Sequence, residues 1–267
     1  MRLTRHAIAI PGHAVHGDTW PAWVGAGQRR RQDPLVRAAC AAVERLLAQG
    51  SALPPDTAVV TATAYGAVES TFRFAQSIAG YGDAGASPTP FTTSVHNSCA
   101  GALGEFLHLH GPSTTVSQGG ISTIAALRWA TLMLAAGRAP AVLLVAGERH
   151  NDWSRTVVGT LSQTVWPIGD GVVACLIEPD DGPGRELRLG AHPAPLQLDG
   201  GTPDPGDEQL LASSADGRTR RSAPVHLGAW WPTATLAALD WTTDGAVALV
   251  EAEAGRVEQA WLGPLTA

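Results

Sequence analysis

The sequence predicts an α/β fold, and three observations carry the prediction. Helix-like and strand-like segments alternate over residues 1–180. Two apolar runs, 141–147 and 172–178, have the length and composition of strands covered on both faces. Glycine and proline punctuate the segments, at Pro11-Gly12, Gly50 and Gly111-Pro112.

The elements follow in order. Residues 5–10 read as a short strand closed by Pro11-Gly12. Asp33-Pro34 is a helix start, with aspartate as the cap and proline at the first helical position. Leu35, Ala39, Val43, Leu46 and Leu47 then recur at helical spacing until Gly50. Residues 57–61 are short and β-branched, which predicts a strand. Val68, Phe72, Ala75 and Ile78 predict a helix over 66–78. A second such helix covers 95–109, and Gly111-Pro112 ends it before a β-rich run at 114–117. Residues 122–136 form a third, apolar around most of its surface, as befits a helix at the centre of a fold.

Composition shifts after Glu178. Residues 179–184 are a turn cluster, and 199–222 read as a flexible surface loop rich in Gly, Pro, Asp, Ser and Arg. A weak helix at 229–238 and a closing hairpin from 246–252 and 259–262 complete the chain. The domain reading is therefore 1–180, followed by a reduced part, 181–267, packed on the first. Trp230, Trp231, Trp241 and Trp261 are expected to seal a small core in that second part.

Composition excludes several functions. The 267 residues are 45% hydrophobic and 16% charged, a globular balance. With 18 basic against 24 acidic residues the net charge is -6, so a nucleic-acid partner is not expected. Every basic residue is arginine. That removes Schiff-base lysines and the phosphate-binding lysine of a P-loop. The run Arg29-Arg30-Arg31 reads as a solvated face.

Cys40, Cys99 and Cys175 are odd in number and widely spaced, so neither a disulfide framework nor a zinc site is expected. Each reads as a small buried hydrophobe. His108 and His110 fall on nearly opposite faces of a helix, which argues against a metal, and no cofactor motif is present. The apolar stretch at 139–146 is far shorter than a bilayer span, and the apolar run before Pro11 is only four residues long. A cytoplasmic protein without membrane contact is expected. G-x-S-x-G, G-x-G-x-x-G, H-E-x-x-H and P-loop patterns are all absent.

Four blocks, in order, carry a resemblance. Ala64-Tyr65-Gly66-Ala67-Val68-Glu69 forms a glycine-containing turn into a helix. Ser87-Pro88 runs through Phe91 to Asn97-x-x-Ala100-Gly101. Gly111-Pro112-Ser113 and the β-rich run lead to Ala135-Ala136-Gly137-Arg138 and then Val145-Ala146-Gly147-Glu148. Gly169-Asp170-Gly171-Val172 precedes Leu176-Ile177-Glu178. This ordered set resembles the N-terminal half of the β-ketoacyl synthases, the thiolase-fold condensing enzymes, over about two-thirds of the chain. The resemblance implies a layered α-β-α thiolase-like fold: the N-terminal half of a ketosynthase with a truncated C-terminal part.

The departures are as informative. Condensing enzymes place an acyl-accepting cysteine at a strand-to-helix turn, where the helix N-terminus favours a thiolate. Counting from Gly111-Pro112-Ser113, that position is Gly120 in Gln118-Gly119-Gly120. The catalytic histidines of the family come from the half that is largely missing, and His226 lacks their H-G-T-G-T context. No catalytic residue is therefore assigned. Within the family this is similar to the chain-length factors of type II polyketide synthases, in the short form found in aryl polyene and polyene pathways.

The resemblance implies a ketosynthase partner, in a heterodimer or a dimer of heterodimers, with the chain carried by an acyl carrier protein. It further implies a wall of the acyl tunnel made by Val68, Thr71, Phe72, Ala75, Pro90, Phe91 and Val95, with Gln118, Gly119 and Gly120 near the lost active site. Small side chains at Thr71 and Ala75 suit a long chamber. Two alternatives stay open: an autonomous acyl-transfer or hydrolytic enzyme using Cys99 or a serine, and a purely structural thiolase-fold scaffold. An unpartnered interface strand at 114–117 further predicts poor behaviour of the chain expressed alone.

Overall fold

A strand with no polar face must be covered on both sides, and the two uninterrupted apolar runs lie at the centre of the molecule. The computed structural model describes residues 1–9, 19–162, 168–179, 183–189, 197–198, 211–213, 218–221, 247–253 and 256–266. Its elements begin with β1 (Arg2–Ala9), α1 (Ala26–Arg29), α2 (Pro34–Leu47), β2 (Ala58–Ala62), α3 (Val68–Tyr81), α4 (Pro88–Thr93) and α5 (Ser98–Phe106). There follow β3 (Ser113–Val116), α6 (Ser122–Ala135), β4 (Val142–Glu148), α7 (Asp152–Ser162), β5 (Gly171–Glu178) and β6 (Gly184–Leu189). β7 (Gln197–Leu198), β8 (Leu211–Ser213), β9 (Arg218–Arg221), β10 (Val247–Glu253) and β11 (Arg256–Thr266) complete the order.

Eight strands form one mixed sheet in the order β10-β11-β6-β1-β5-β4-β2-β3. β2 runs parallel to both β3 and β4, and all other neighbours are antiparallel. Side chains alternate across it. Val142, Leu144 and Ala146 of β4 join Ile124, Leu127 and Ala130 of α6 on one face. Leu143 and Val145 join α2 and α5 on the other, through Val36, Ala39, Val43, Cys99, Leu103 and Phe106. The result is three layers, α6, sheet, and α2 with α5, as the resemblance implies.

Most predicted elements are present, with shifted ends. The first strand begins at Arg2, three residues earlier than expected. The Asp33 side chain caps α2 by accepting the Leu35 N–H at 2.9 Å. The helix expected over 66–78 spans Val68–Tyr81. The helix expected over 95–109 is shorter, Ser98–Phe106, and Val95 precedes it. The separate helix α4 was not expected, although Pro88 stands at its first turn, where a missing N–H costs nothing. α6 is not buried all round: Trp129 and Leu132 on its outer flank are 48% and 54% exposed.

α7 was not expected either, because its β-branched residues weaken the helical pattern. Its start is nonetheless written locally. Asn151 Oδ1 accepts the Ser154 N–H at 2.8 Å while Ser154 Oγ accepts the Asn151 N–H at 2.9 Å, a reciprocal capping pair. Arg29 is not freely solvated, since it donates to the carbonyls of Val24 and Pro21 at 2.8 and 3.2 Å. Arg30 and Arg31 are exposed.

Within the stretch read as a flexible loop, 199–222, β8 and β9 pair antiparallel, and β9 pairs with β7. The expected closing hairpin is present as β10 and β11, with Val247 opposite Leu262 and Glu253 opposite Arg256. Trp261 lies on β11. The helix expected at 229–238, His226, Trp230, Trp231 and Trp241 lie outside the described residues.

Candidate functional site

In a parallel arrangement ligands gather at the carboxyl ends of the strands. Here β2, β3 and β4 end together, and the turns that leave them are tied to one another. The Thr63 N–H donates to the Val116 carbonyl at 3.1 Å. Ser117 Oγ donates to the Ala64 carbonyl at 3.2 Å, and Ser122 Oγ reaches the Thr63 carbonyl at 3.2 Å.

Glu148, at the end of β4, holds the third corner. Its carboxylate is 0% exposed. It accepts the Thr63 hydroxyl at 3.0 Å, the Ala64 N–H, and the Tyr65 N–H at 3.3 Å. Thr63 Oγ1 in turn accepts the Gly66 N–H at 2.9 Å. The β2–α3 turn is thus wrapped around a buried carboxyl group, which sets the point at which α3 leaves the sheet.

The turn between β3 and α6 holds Gln118, Gly119 and Gly120. Gly119 has φ +60°, Gly120 is buried, and Gln118 is exposed. The Gln118 N–H donates to Ser122 Oγ at 2.8 Å, and Ser122 Oγ lies 2.6 Å from the Gly119 carbonyl. The geometry is that of a nucleophile turn: strand, sharp turn, and the N-terminus of the 14-residue helix α6. The side chain such a turn would present is missing at both glycines.

The residues expected in the wall fall on α3, on α4 and just after it. α3 lies open, with Ser70 its single buried residue. Thr71 is exposed, and its hydroxyl reaches the Ser94 carbonyl at 3.2 Å. Ala75 is exposed, while Val68, Phe72 and Pro90 are half-buried. Phe91 and Val95 are 55% and 47% exposed.

Thr71 and Phe72 do not face the same neighbour. Phe72 stacks on Trp153 of α7, with ring centroids 4.8 Å apart. Phe74 instead tilts against Phe91 at 5.2 Å. Phe74 and Trp153 were not among the sequence-derived candidates. Phe74 was legible as an aromatic residue on the same helix, whereas Trp153 belongs to a helix the periodicity did not reveal.

Behind α7 lies a charged cluster. Asp170 accepts from Arg149, from Arg155 at 2.6 Å, and from the His150 N–H at 2.8 Å. The His150 imidazole is 3% exposed and meets Tyr65 edge-on at 5.6 Å. Among the described residues neither of its ring nitrogens has a hydrogen-bond partner. Burial lowers its pKa to about 4. Asp170 opposes that shift and the two arginines reinforce it.

Two of the thiols are shifted by the same physics. Burial pushes Cys40 up to about 12, with a smaller contribution from Glu44. Cys99, 4% exposed, is pushed further up by burial and then by Cys40 and Asp33. Among the described residues no cluster of three metal-ligating side chains exists. No helix among them is long and apolar enough to cross a membrane.

Comparison with known proteins agrees with this geometry. A chain of the ishigamide ketosynthase/chain length factor structure superposes with a TM-score of 0.71 at 19% identity, over 100% of this chain and 99% of that one. The ketosynthase ApeO in complex with its chain length factor ApeC, from Xenorhabdus doucetiae, gives 0.61 at 19%, over 98% and 99%. A β-ketoacyl synthase from Burkholderia phymatum STM815 gives 0.51 at 18%, over 65% of this chain and 52% of that one. At these identities the likeness is one of fold, the thiolase-like ketosynthase fold. No curated protein matches the sequence. The family model described as β-ketoacyl synthase, N-terminal domain, matches residues 9–155, more than half of the chain. This chain belongs to the β-ketoacyl synthase N-terminal domain family.

Proposed function

We propose that this protein is a non-catalytic chain-length factor, the ketosynthase-like subunit that pairs with a cysteine-bearing ketosynthase in type II polyketide biosynthesis and shapes the chamber of the growing acyl or polyene chain. The observation that carries the reading is the β3–α6 turn. It keeps the strand, the turn and the helix N-terminus of a nucleophile site, and it has Gly119-Gly120 where an acyl-accepting side chain would stand.

Two further features support it. β3 is the terminal strand of the sheet. Val59 and Thr63 donate to the carbonyls of Pro112 and Val116, so the backbone of Ser113 and Thr115 turns its N–H and C=O groups to the open edge. Such an edge can extend a partner's sheet. Phe91 and Val95 expose apolar surface that a partner would cover. Two of the structures this chain resembles, each matched over 99% of its length, come from ketosynthase and chain length factor complexes.

In this reading the ketosynthase supplies the nucleophile and bases, and a carrier protein delivers the chain to it. Val68, Thr71, Phe72, Ala75, Pro90, Phe91 and Val95 of this protein bound the far side of the chamber, and the complex works in the cytoplasm. The alternative of a Cys99 nucleophile is disfavoured, because the thiol is buried and held protonated.

The test is co-expression with the ketosynthase encoded nearest to this protein, with only this chain tagged, followed by size exclusion and native mass spectrometry. A one-to-one complex, or two of them joined, is expected. A well-behaved monomer that ignores the ketosynthase would overturn the reading.

A further inference from the structure

Helix α3 spans 14 residues yet buries only Ser70. Its apolar contacts are partly exposed ring pairs, Phe72 on Trp153 and Phe74 on Phe91, so polar anchors carry much of the task of fixing its first turn. Its own cap position is Ala67, which makes no side-chain capping bond. The missing acceptor comes from another helix. Asp33 Oδ2 accepts the Ser70 N–H at 3.2 Å and the Ser70 hydroxyl at 2.6 Å. Asp33 Oδ1 meanwhile accepts the Leu35 N–H at 2.9 Å as the cap of α2. Thr93, at the end of α4, donates to Ser70 Oγ at 3.1 Å. The Asp33 carboxylate is 1% exposed.

We propose that Asp33 is the positioning residue of α3: one buried carboxylate caps two helices, α2 within its own segment and α3 across the layer. Ser70 is the third residue of α3, the position whose N–H an ordinary cap residue receives. Both helix N-termini carry partial positive charge, so the anion between them is stabilised by two dipoles as well as three donors. Asp33 thereby sets where the first turn of α3 sits. Its effect on Thr71 and Ala75 as chamber walls rests on the function proposed above, whereas the shared cap does not.

Two readouts on the full chain separate these levels. The first is hydrogen exchange by mass spectrometry on the segments 68–81 and 34–47, comparing wild type with Asp33→Asn and Ser70→Ala. The asparagine keeps an oxygen for the Leu35 N–H but presents N–H groups to Ser70. Exchange in 68–81 is expected to accelerate about tenfold in Asp33→Asn, and less in Ser70→Ala, which keeps its backbone donor. The 34–47 segment should stay close to wild type. Unchanged exchange in 68–81, or equal acceleration in both segments, overturns the shared cap.

The second readout is the distribution of product chain lengths made by the ketosynthase complex, at full occupancy by native mass spectrometry. Asp33→Asn is expected to broaden it, whereas a merely structural role would lower the amount of complex and leave chain lengths alone. An unchanged distribution alongside faster exchange overturns the step from Asp33 to the wall and leaves the shared cap standing. If wild type forms no complex, the proposed function fails while the exchange readout still decides the cap.

Discussion

His150 makes the fold acid-sensitive in a way that can be calculated. The imidazole is packed at the start of α7 with Tyr65 beside it. The charged groups facing it are Asp170, Arg155 and Arg149. Its folded pKa is lowered from the ordinary 6.5 to about 4, with burial the largest cause. A group whose pKa is depressed by folding binds its proton more readily in the unfolded chain, so stability falls as the pH falls. The loss begins near 6.5, where the unfolded histidine takes up its proton, and is complete near 4, where the folded one follows. At about 1.4 kcal/mol per pH unit the gap corresponds to about 3 kcal/mol.

The perturbation is His150→Phe, which keeps a flat ring against Tyr65 and removes both unpartnered nitrogens. Above the titration range it should stabilise the fold by about 1–3 kcal/mol, the cost of burying polar atoms without partners. Below that range it should remove most of the acid limb. Urea titrations from about pH 8 to about pH 4, in the free chain or its complex, measure both effects. An acid limb of equal slope in the variant, or a variant less stable than wild type near neutral pH, would refute the reasoning. Either result would mean that the imidazole is not an isolated neutral group.

Three further outcomes are expected. Thr71→Trp or Ala75→Phe should shorten the products of the ketosynthase complex without preventing its assembly, because a closed chamber has little spare volume; product analysis by mass spectrometry checks this. Thr115→Pro should weaken association with the ketosynthase by removing an N–H from the open edge of β3, while fold stability falls by only about 1 kcal/mol for the lost Thr61–Thr115 hydroxyl contact at 2.7 Å. Native mass spectrometry of the mixed subunits reads the first effect, and thermal unfolding the second. Gly147→Ala should be strongly destabilising, since its Cβ would stand 2.6 Å from the Gly171 carbonyl where β4 and β5 pair. A melting temperature within about 2 °C of wild type would contradict it.

Local chemistry was legible in the residues themselves. Asp33-Pro34 announced a helix because a cap needs only a short side chain and a preset φ, both encoded in two adjacent residues. The runs at 141–147 and 172–178 announced the central strands observed at Val142–Glu148 and Gly171–Glu178, because nothing but burial on both faces accommodates them. The glycine pair Gly119-Gly120 at the turn between β3 and α6 could be located by counting from Gly111, since an ordered strand-turn-helix keeps its spacing. The Asn151–Ser154 capping pair was equally present in the letters. It went unread because Thr156, Val157 and Val158 masked the helical period behind it.

What the sequence by itself determined is the layer each segment joins and the absence of a side chain at Gly119 and Gly120, since both follow from short-range pattern and residue identity. What only the tertiary structure decided is which groups meet across the layers. Glu148 lies more than eighty residues beyond the turn it wraps, and Asp33 lies thirty-seven residues before Ser70 of the helix it caps. The Phe72–Trp153 stack, the unpartnered His150 and the open edge of β3 likewise join or expose residues with no sequence relation. A carboxylate's partners are chosen by where the chain brings donors within about 3 Å, and that distance is fixed by the packing of sheet and helices and by no interval along the chain.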